Sequence, residues 1–244
     1  MTAEFAIQVC GWLFGVPLEF LLVAALLRGE FKRFPFLFAY ATVGLLTTLV
    51  EIPAKINAVM YPADKLLVRH FATIYWINEV ILQAFMLAVV VSLMDRAATH
   101  LRSRRLARAV LVLGALLFAG TSFAVHHTPG MHILGLWMTD WTRDMNFGSA
   151  ILDLLLWMML LSSGRGDRRL LLISGALGLQ FTGEAIGGAV RSLSIAQTVN
   201  SLQLAGSIIA MLADNACLYI WWRTFRPAPA VGGQAAQAPG EGVG

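Results

Sequence analysis

The chain has 244 residues, of which 58% are hydrophobic and only 13% charged, with a formal charge of +4. A soluble domain carries about a quarter charged residues because its surface faces water, so this composition excludes an ordinary soluble fold. The 18 Lys and Arg residues form short clusters between apolar runs, which excludes a nucleic-acid partner and makes the lipid bilayer the natural counter-charge.

A helix needs about 20 apolar residues to cross the hydrocarbon core, where only a backbone that bonds to itself is tolerated. Seven segments meet or approach that length: 5–27, 36–53, 71–94, 106–125, 145–162, 170–190 and 199–222. The predicted fold class is all-α, a polytopic bundle of seven transmembrane helices over residues 1–226. Residues 227–244, built of Pro, Ala, Gly and Gln, are expected to form a disordered cytoplasmic tail.

Span one follows Thr2-Ala3-Glu4, an acidic flank, and its apolar run is too long for a signal-peptide core, so it is expected to remain as an anchor. It places Gln8, Trp12, Gly15 and Glu19 at steps of four, three and four, which keeps them on one helical face. A polar side chain in lipid is costly unless it meets another helix or water, so such a stripe marks the inward face. Span two repeats the pattern with Tyr40, Gly44, Thr47 and Glu51, and span three with Tyr75, Glu79 and Gln83 beside Asn78.

Span four has no ionisable residue between Val110 and Val125 and is expected to be a peripheral or linking helix. The segment 126–144 holds His126, His127, His132, Asp140 and Asp144 with Trp137, Trp141 and the Pro129-Gly130 break. Adjacent histidines do not readily face one ion, so this segment is expected to be a wet interfacial loop with an aromatic anchor, and no metal site is assigned.

Span five aligns Asn146, Ser149 and Asp153; span six aligns Gln180, Glu184 and Arg191; span seven aligns Asn200, Gln203, Ser207 and Asp214. Span six also carries Gly183 and Gly187, a small-xxx-small pair that permits close helix approach.

Orientation follows from the basic clusters, because Lys and Arg resist translocation. Thirteen of the 18 follow spans one, three, five and seven, among them Arg28, Arg33, Arg104, Arg105, Arg168, Arg169 and Arg226. This predicts an N-terminus outside and a C-terminus in the cytoplasm, in a cell inner membrane. Cys10 and Cys217 then lie about 15 to 20 Å apart in depth, too far for a disulfide, and read as small apolar packers.

Six stripe acids, Glu19, Glu51, Glu79, Asp153, Glu184 and Asp214, stand against one stripe cation, Arg191. A central charge costs about 2.5 to 3.5 kcal/mol even on insertion scales, so these acids require water, a proton or a bound cation. Together with Asn78, Gln180 and Gln203 they form the candidate ligand-binding set, most of it in the outer half of the spans, which predicts a cavity opening outward.

Leu18-Glu19-Phe20-Leu21-Leu22 parallels Leu152-Asp153-Leu154-Leu155-Leu156, and the next acid follows 32 residues later at Glu51 and 31 later at Glu184. This suggests three helices, a linker and three helices, a topology that resembles SWEET and PQ-loop carriers and, by helix number, rhodopsins. Retinal is excluded because the only lysines are Lys32, Lys55 and Lys65, none in span seven. Arg33-Phe34-Pro35-Phe36 and Tyr75-Trp76-Ile77-Asn78-Glu79 resemble segments of bacterial seven-helix membrane proteins that carry no assigned activity.

No His-Glu-x-x-His, Gly-x-Ser-x-Gly or phosphate loop occurs, so neither an enzyme nor a cofactor is expected. The leading expectation is a small-solute or cation carrier, with a proton as candidate coupling ion and Glu79, Asp153 and Glu184 as its working groups. The alternatives are a receptor that senses a small-molecule or cation ligand and signals to a separate cytoplasmic protein partner, or a scaffold subunit.

Overall fold

The structure is a computed structural model that describes residues 3–97, 104–126, 134–162, 167–197 and 200–226. The 227–244 tail, His127 and His132 lie outside these residues. Seven α-helices follow in order: α1 (Ala3–Leu27), α2 (Pro35–Met60), α3 (Lys65–Ala97), α4 (Arg104–His126), α5 (Leu134–Ser162), α6 (Arg168–Gln197) and α7 (Asn200–Phe225). All seven are long and apolar enough to cross a membrane, so the chain is a multi-pass membrane protein. Leu13, Phe14 and Phe20 on α1 and Leu116, Leu117 and Val125 on α4 are among the large apolar side chains left exposed, as lipid-facing positions must be.

Four helices run well past their sequence-based limits, α3 from Lys65 and α6 to Gln197 as well as α2 and α5. Helix α2 continues from Pro53 to Met60, with the proline inside it, because a helix in lipid keeps its backbone bonded even where proline removes one donor. Helix α5 begins at Leu134, which corrects the expectation of a loop through Asp144. Contacts between the end of α4 and the start of α5 explain this. Ser122 Oγ donates to Asp144 Oδ2 at 2.8 Å, His126 Nε2 lies 3.0 Å from the same oxygen, and Trp141 Nε1 donates to the Ala119 carbonyl at 3.3 Å.

Each helix runs against the one before it, in keeping with the pairs Glu19 with Thr48, Glu51 with Asn78, Asp95 with Arg108, Ser122 with Asp144, Asn146 with Glu184 and Trp221 with Ile173. One end of the bundle therefore holds the start of α1 and is called the N-face; the other holds the end of α7 and is called the C-face. Helices α1, α2, α3, α5, α6 and α7 close a ring in that order, with α7 returning to α1. Helix α4 packs outside the ring against α3 and α5, in keeping with its lack of a polar stripe.

Exchanging α1–α3 for α5–α7 leaves the ring's neighbour relations unchanged. The six acids also pair off under that exchange: Glu19 with Asp153, Glu51 with Glu184, and Glu79 with Asp214, at sequence offsets of 134, 133 and 135.

The C-face half of the ring is a dry plug of Leu22, Leu26, Leu37, Leu93, Ile173 and Trp221, all at or below 2% exposure. Two ion pairs cover it and join the α1–α2 turn to the start of α6, Arg169 with Glu30 and Arg33 with Asp167. Gly29 makes the turn after α1 possible, since its φ of +128° is strained for any residue with a side chain.

Helices α6 and α7 approach most closely at the glycines that the sequence singled out. A Cβ on Gly187 would stand 2.6 Å from the Gly206 carbonyl oxygen, whereas a Cβ on the adjacent Gly188 would meet nothing within 4 Å. Gly187→Ala is therefore expected to destabilise the protein by about 1 to 3 kcal/mol through overpacking. Gly188→Ala should be neutral or slightly stabilising, because alanine is the better helix former. Thermal melting of both variants in detergent checks this; equal melting temperatures would disprove the close approach of α6 and α7.

Candidate functional site

The N-face half of the ring encloses a cavity of about 790 Å³, lined by α1, α2, α3, α6 and α7. The inward stripes build it directly. Gln8, Trp12, Gly15 and Glu19 line it from α1; Tyr40, Gly44 and Glu51 from α2; Glu79 and Gln83 from α3. Gln180, Glu184 and Arg191 contribute from α6, and Gln203, Ser207 and Asp214 from α7.

Eight of the ten candidate residues thus face one space: Glu19, Glu51, Glu79, Gln180, Glu184, Arg191, Gln203 and Asp214. The other two do not. Asn78 is buried behind the wall and donates through Nδ2 to Glu51 Oε1 at 3.0 Å, so it orients a lining carboxyl. Asp153 is only 3% exposed, sealed between α5 and α6, where it accepts a hydrogen bond from Ser174 Oγ. Asp153 and its counterpart Glu19 therefore differ in access, the one occluded and the other open to the cavity.

The carboxyls in the cavity share one construction, in which each accepts a hydrogen bond from a neutral side chain. Thr48 Oγ1 donates to Glu19 at 3.4 Å, Gln83 Nε2 to Glu79 at 3.4 Å, Asn146 Nδ2 to Glu184 at 2.9 Å and Gln180 Nε2 to Asp214 at 2.7 Å, while Asn78 serves Glu51. A neutral donor fixes the direction of a carboxyl without cancelling its charge, although Glu51 also feels the charge of Lys55, and Glu79 and Glu184 that of Arg191.

The basic lining residues, Lys55 and Arg191, stand toward the N-face mouth, one turn beyond Glu51 and two turns beyond Glu184. Lys55 Nζ sits 4.6 Å from the centre of the Phe71 ring, a cation–π contact that holds it at the wall. Among the described residues no Lys or Arg lines the cavity below that level.

Sequence reasoning missed three polar lining residues. Lys55 lay beyond the expected end of span two, and the only signal for it was its step of four from Glu51. Thr48 was passed over for Thr47, yet the Thr47 hydroxyl turns back to the Gly44 carbonyl and Thr48 is the residue that reaches Glu19. Asn215 lines the cavity beside Asp214 and lies 3.6 Å from where a Cβ on Gly15 would be.

Comparison of this chain with known protein families, with curated proteins and with solved structures finds no match.

Proposed function

We propose that this chain is a multi-pass carrier of the bacterial inner membrane that moves a small solute or cation, with a proton as its coupling ion. The observation that carries this reading is the single-sided cavity: about 790 Å³, lined by five carboxyls, entered from the N-face and stopped at the C-face by a dry plug. A site near the middle of the membrane that is open to one side and sealed to the other is what alternating access requires.

The distribution of Lys and Arg supports an orientation with the N-face outside and the C-face in the cytoplasm, so the cavity would load from the exterior. In this reading Glu79 and Glu184 bind the solute in the cavity, and the occluded Asp153 holds the coupling proton. The paired arrangement of α1–α3 and α5–α7 gives two units able to rock against each other about the site.

The test is uptake into proteoliposomes under an imposed pH gradient. Accumulation of an amine or inorganic cation above protein-free vesicles is the expected result. A ligand that raises the melting temperature of the purified protein but never crosses the membrane would overturn the carrier and leave a sensor in its place.

A further inference from the structure

The cavity carries information about the shape and charge of its ligand, and the inference that follows rests on reading that cavity as a binding site. Its carboxyls lie in two tiers. The deep tier is Glu19, which is bonded to Thr48, three residues before Glu51 on α2, and which the approach of Gly11 to Met211 and of Gly15 to Asn215 sets about five residues below Asp214. The upper tier is Glu51, Glu79, Glu184 and Asp214, the last within about 3 Å of the level of Glu184 because Gly183 packs on Ala213. At a helical rise of 1.5 Å per residue the tiers stand about 6 Å apart along the bundle.

The buried polar atoms left without a partner point the same way. On cavity-lining residues they are Glu19 Oε2, Gln83 Oε1 and Asn215 Oδ1. All three are acceptors, and the two amides are fixed in that sense because their nitrogens are engaged, Gln83 Nε2 with Glu79 and Asn215 Nδ2 with the Met211 carbonyl. Gln83 is only 7% exposed, so its oxygen has little access to solvent except through the cavity.

Orphaned acceptors call for a group that only donates, and an ammonium is such a group, with three N–H donors and no acceptor. Tyr40 lies one turn below Gly44, which packs against Glu19, and Trp12 stands two turns above Glu19 toward the mouth, so an aromatic ring that suits an aliphatic cation lines the cavity at either end. A bare metal ion fits poorly, because among the described residues no three His, Cys, Asp or Glu side chains converge on one point. The cavity is also far larger than an ion needs.

We infer that the cavity binds an extended aliphatic diamine, one ammonium in the deep tier at Glu19 and Asn215 and the other in the upper tier among Glu79, Glu184 and Asp214. Arg191 offsets part of the charge of Glu79 and Glu184, which with Asp214 still leaves the upper tier acidic, and together with Lys55 at the mouth it acts against longer cations that would project between them.

Titration calorimetry of the purified full-length protein with putrescine, cadaverine, ethylenediamine, butylamine, glycine betaine and potassium tests this. Putrescine or cadaverine should bind at least about tenfold more tightly than butylamine, the ratio one additional charge-assisted hydrogen bond gives. Ethylenediamine, too short to span the tiers, should bind like butylamine. Butylamine matching putrescine, or the zwitterion or potassium binding more tightly than either diamine, would overturn the two-tier site.

The same ligands are then followed in proteoliposomes, so that the two readings fail separately. Tight diamine binding without uptake leaves the ligand class standing and removes the carrier. Uptake of potassium or butylamine with no preference for a diamine leaves the carrier standing and removes the ligand class.

Discussion

Trp221→Ala is expected to cost about 3 to 5 kcal/mol, the range for removing a large aromatic from a packed interior. Trp221 is the largest of the fully buried side chains and sits in the plug that closes the C-face. Its ring meets Tyr40 edge to face at 5.8 Å, and its Nε1 donates to the Ile173 carbonyl at 3.0 Å, so it joins α7 to both α2 and α6. In a membrane the gain from burial is not escape from water, since lipid is as apolar as the core. The loss on truncation is of dispersion contacts, and it persists because the surrounding helices are anchored elsewhere and do not collapse into the space.

Trp221→Phe separates the two contributions. It retains most of the ring and loses the hydrogen bond, so the expected cost is about 1 kcal/mol. The measurement is unfolding in mixed micelles with increasing denaturing detergent, or thermal melting by loss of folded protein. A Trp221→Ala variant that melts within a few degrees of the parent would show that the plug does not hold the ring of helices together.

Which features were readable in the sequence follows from what lipid penalises. Buried carboxyls and amides are expensive in hydrocarbon, so Glu19, Glu51, Glu184 and Gln203 declared the inward faces of their helices, and all four line the cavity. The absence of such residues from 110–120 marked α4 as the outlier, and it packs outside the ring.

What periodicity cannot give is the rotation of a helix to better than about half a turn's width, or which neighbour it meets. Asp153 shares its face with Asn146 and Ser149, yet Asn146 reaches the Glu184 carboxyl while Asp153, two turns deeper, is closed off by Ser174. The choice between Thr47 and Thr48 turned on a rotation of about 100° that only packing against α1 decides. Local rules also misplaced helix ends. The apolar span ends at Pro53 and Asp140 to Asp144 read as loop, but α2 passes through the first, and cross-helix bonds to Ser122 and Ala119 draw the second into α5.

Glu184→Gln is expected to reduce cation binding and uptake by about ten- to a hundredfold while leaving the fold intact. The retained amide oxygen still accepts from Asn146 Nδ2, the bond now at 2.9 Å, so the wall between α5 and α6 should keep its geometry. What disappears is the negative charge, and a hydrogen bond to a charged group is worth about 1.5 to 3 kcal/mol, which converts to that range of affinity. Asp153→Asn provides the contrast, because that carboxyl is sealed off from the cavity by Ser174 and its own burial. Its affinity for a cavity ligand should stay within about threefold of the parent, well under the effect of one lost charged bond, while accumulation driven by a pH gradient should fail if the coupling proton resides there. Equal losses of binding in the two variants would mean that position in the cavity does not matter and that both acids act through the fold; loss confined to Glu184→Gln would tie recognition to the carboxyls that the cavity exposes.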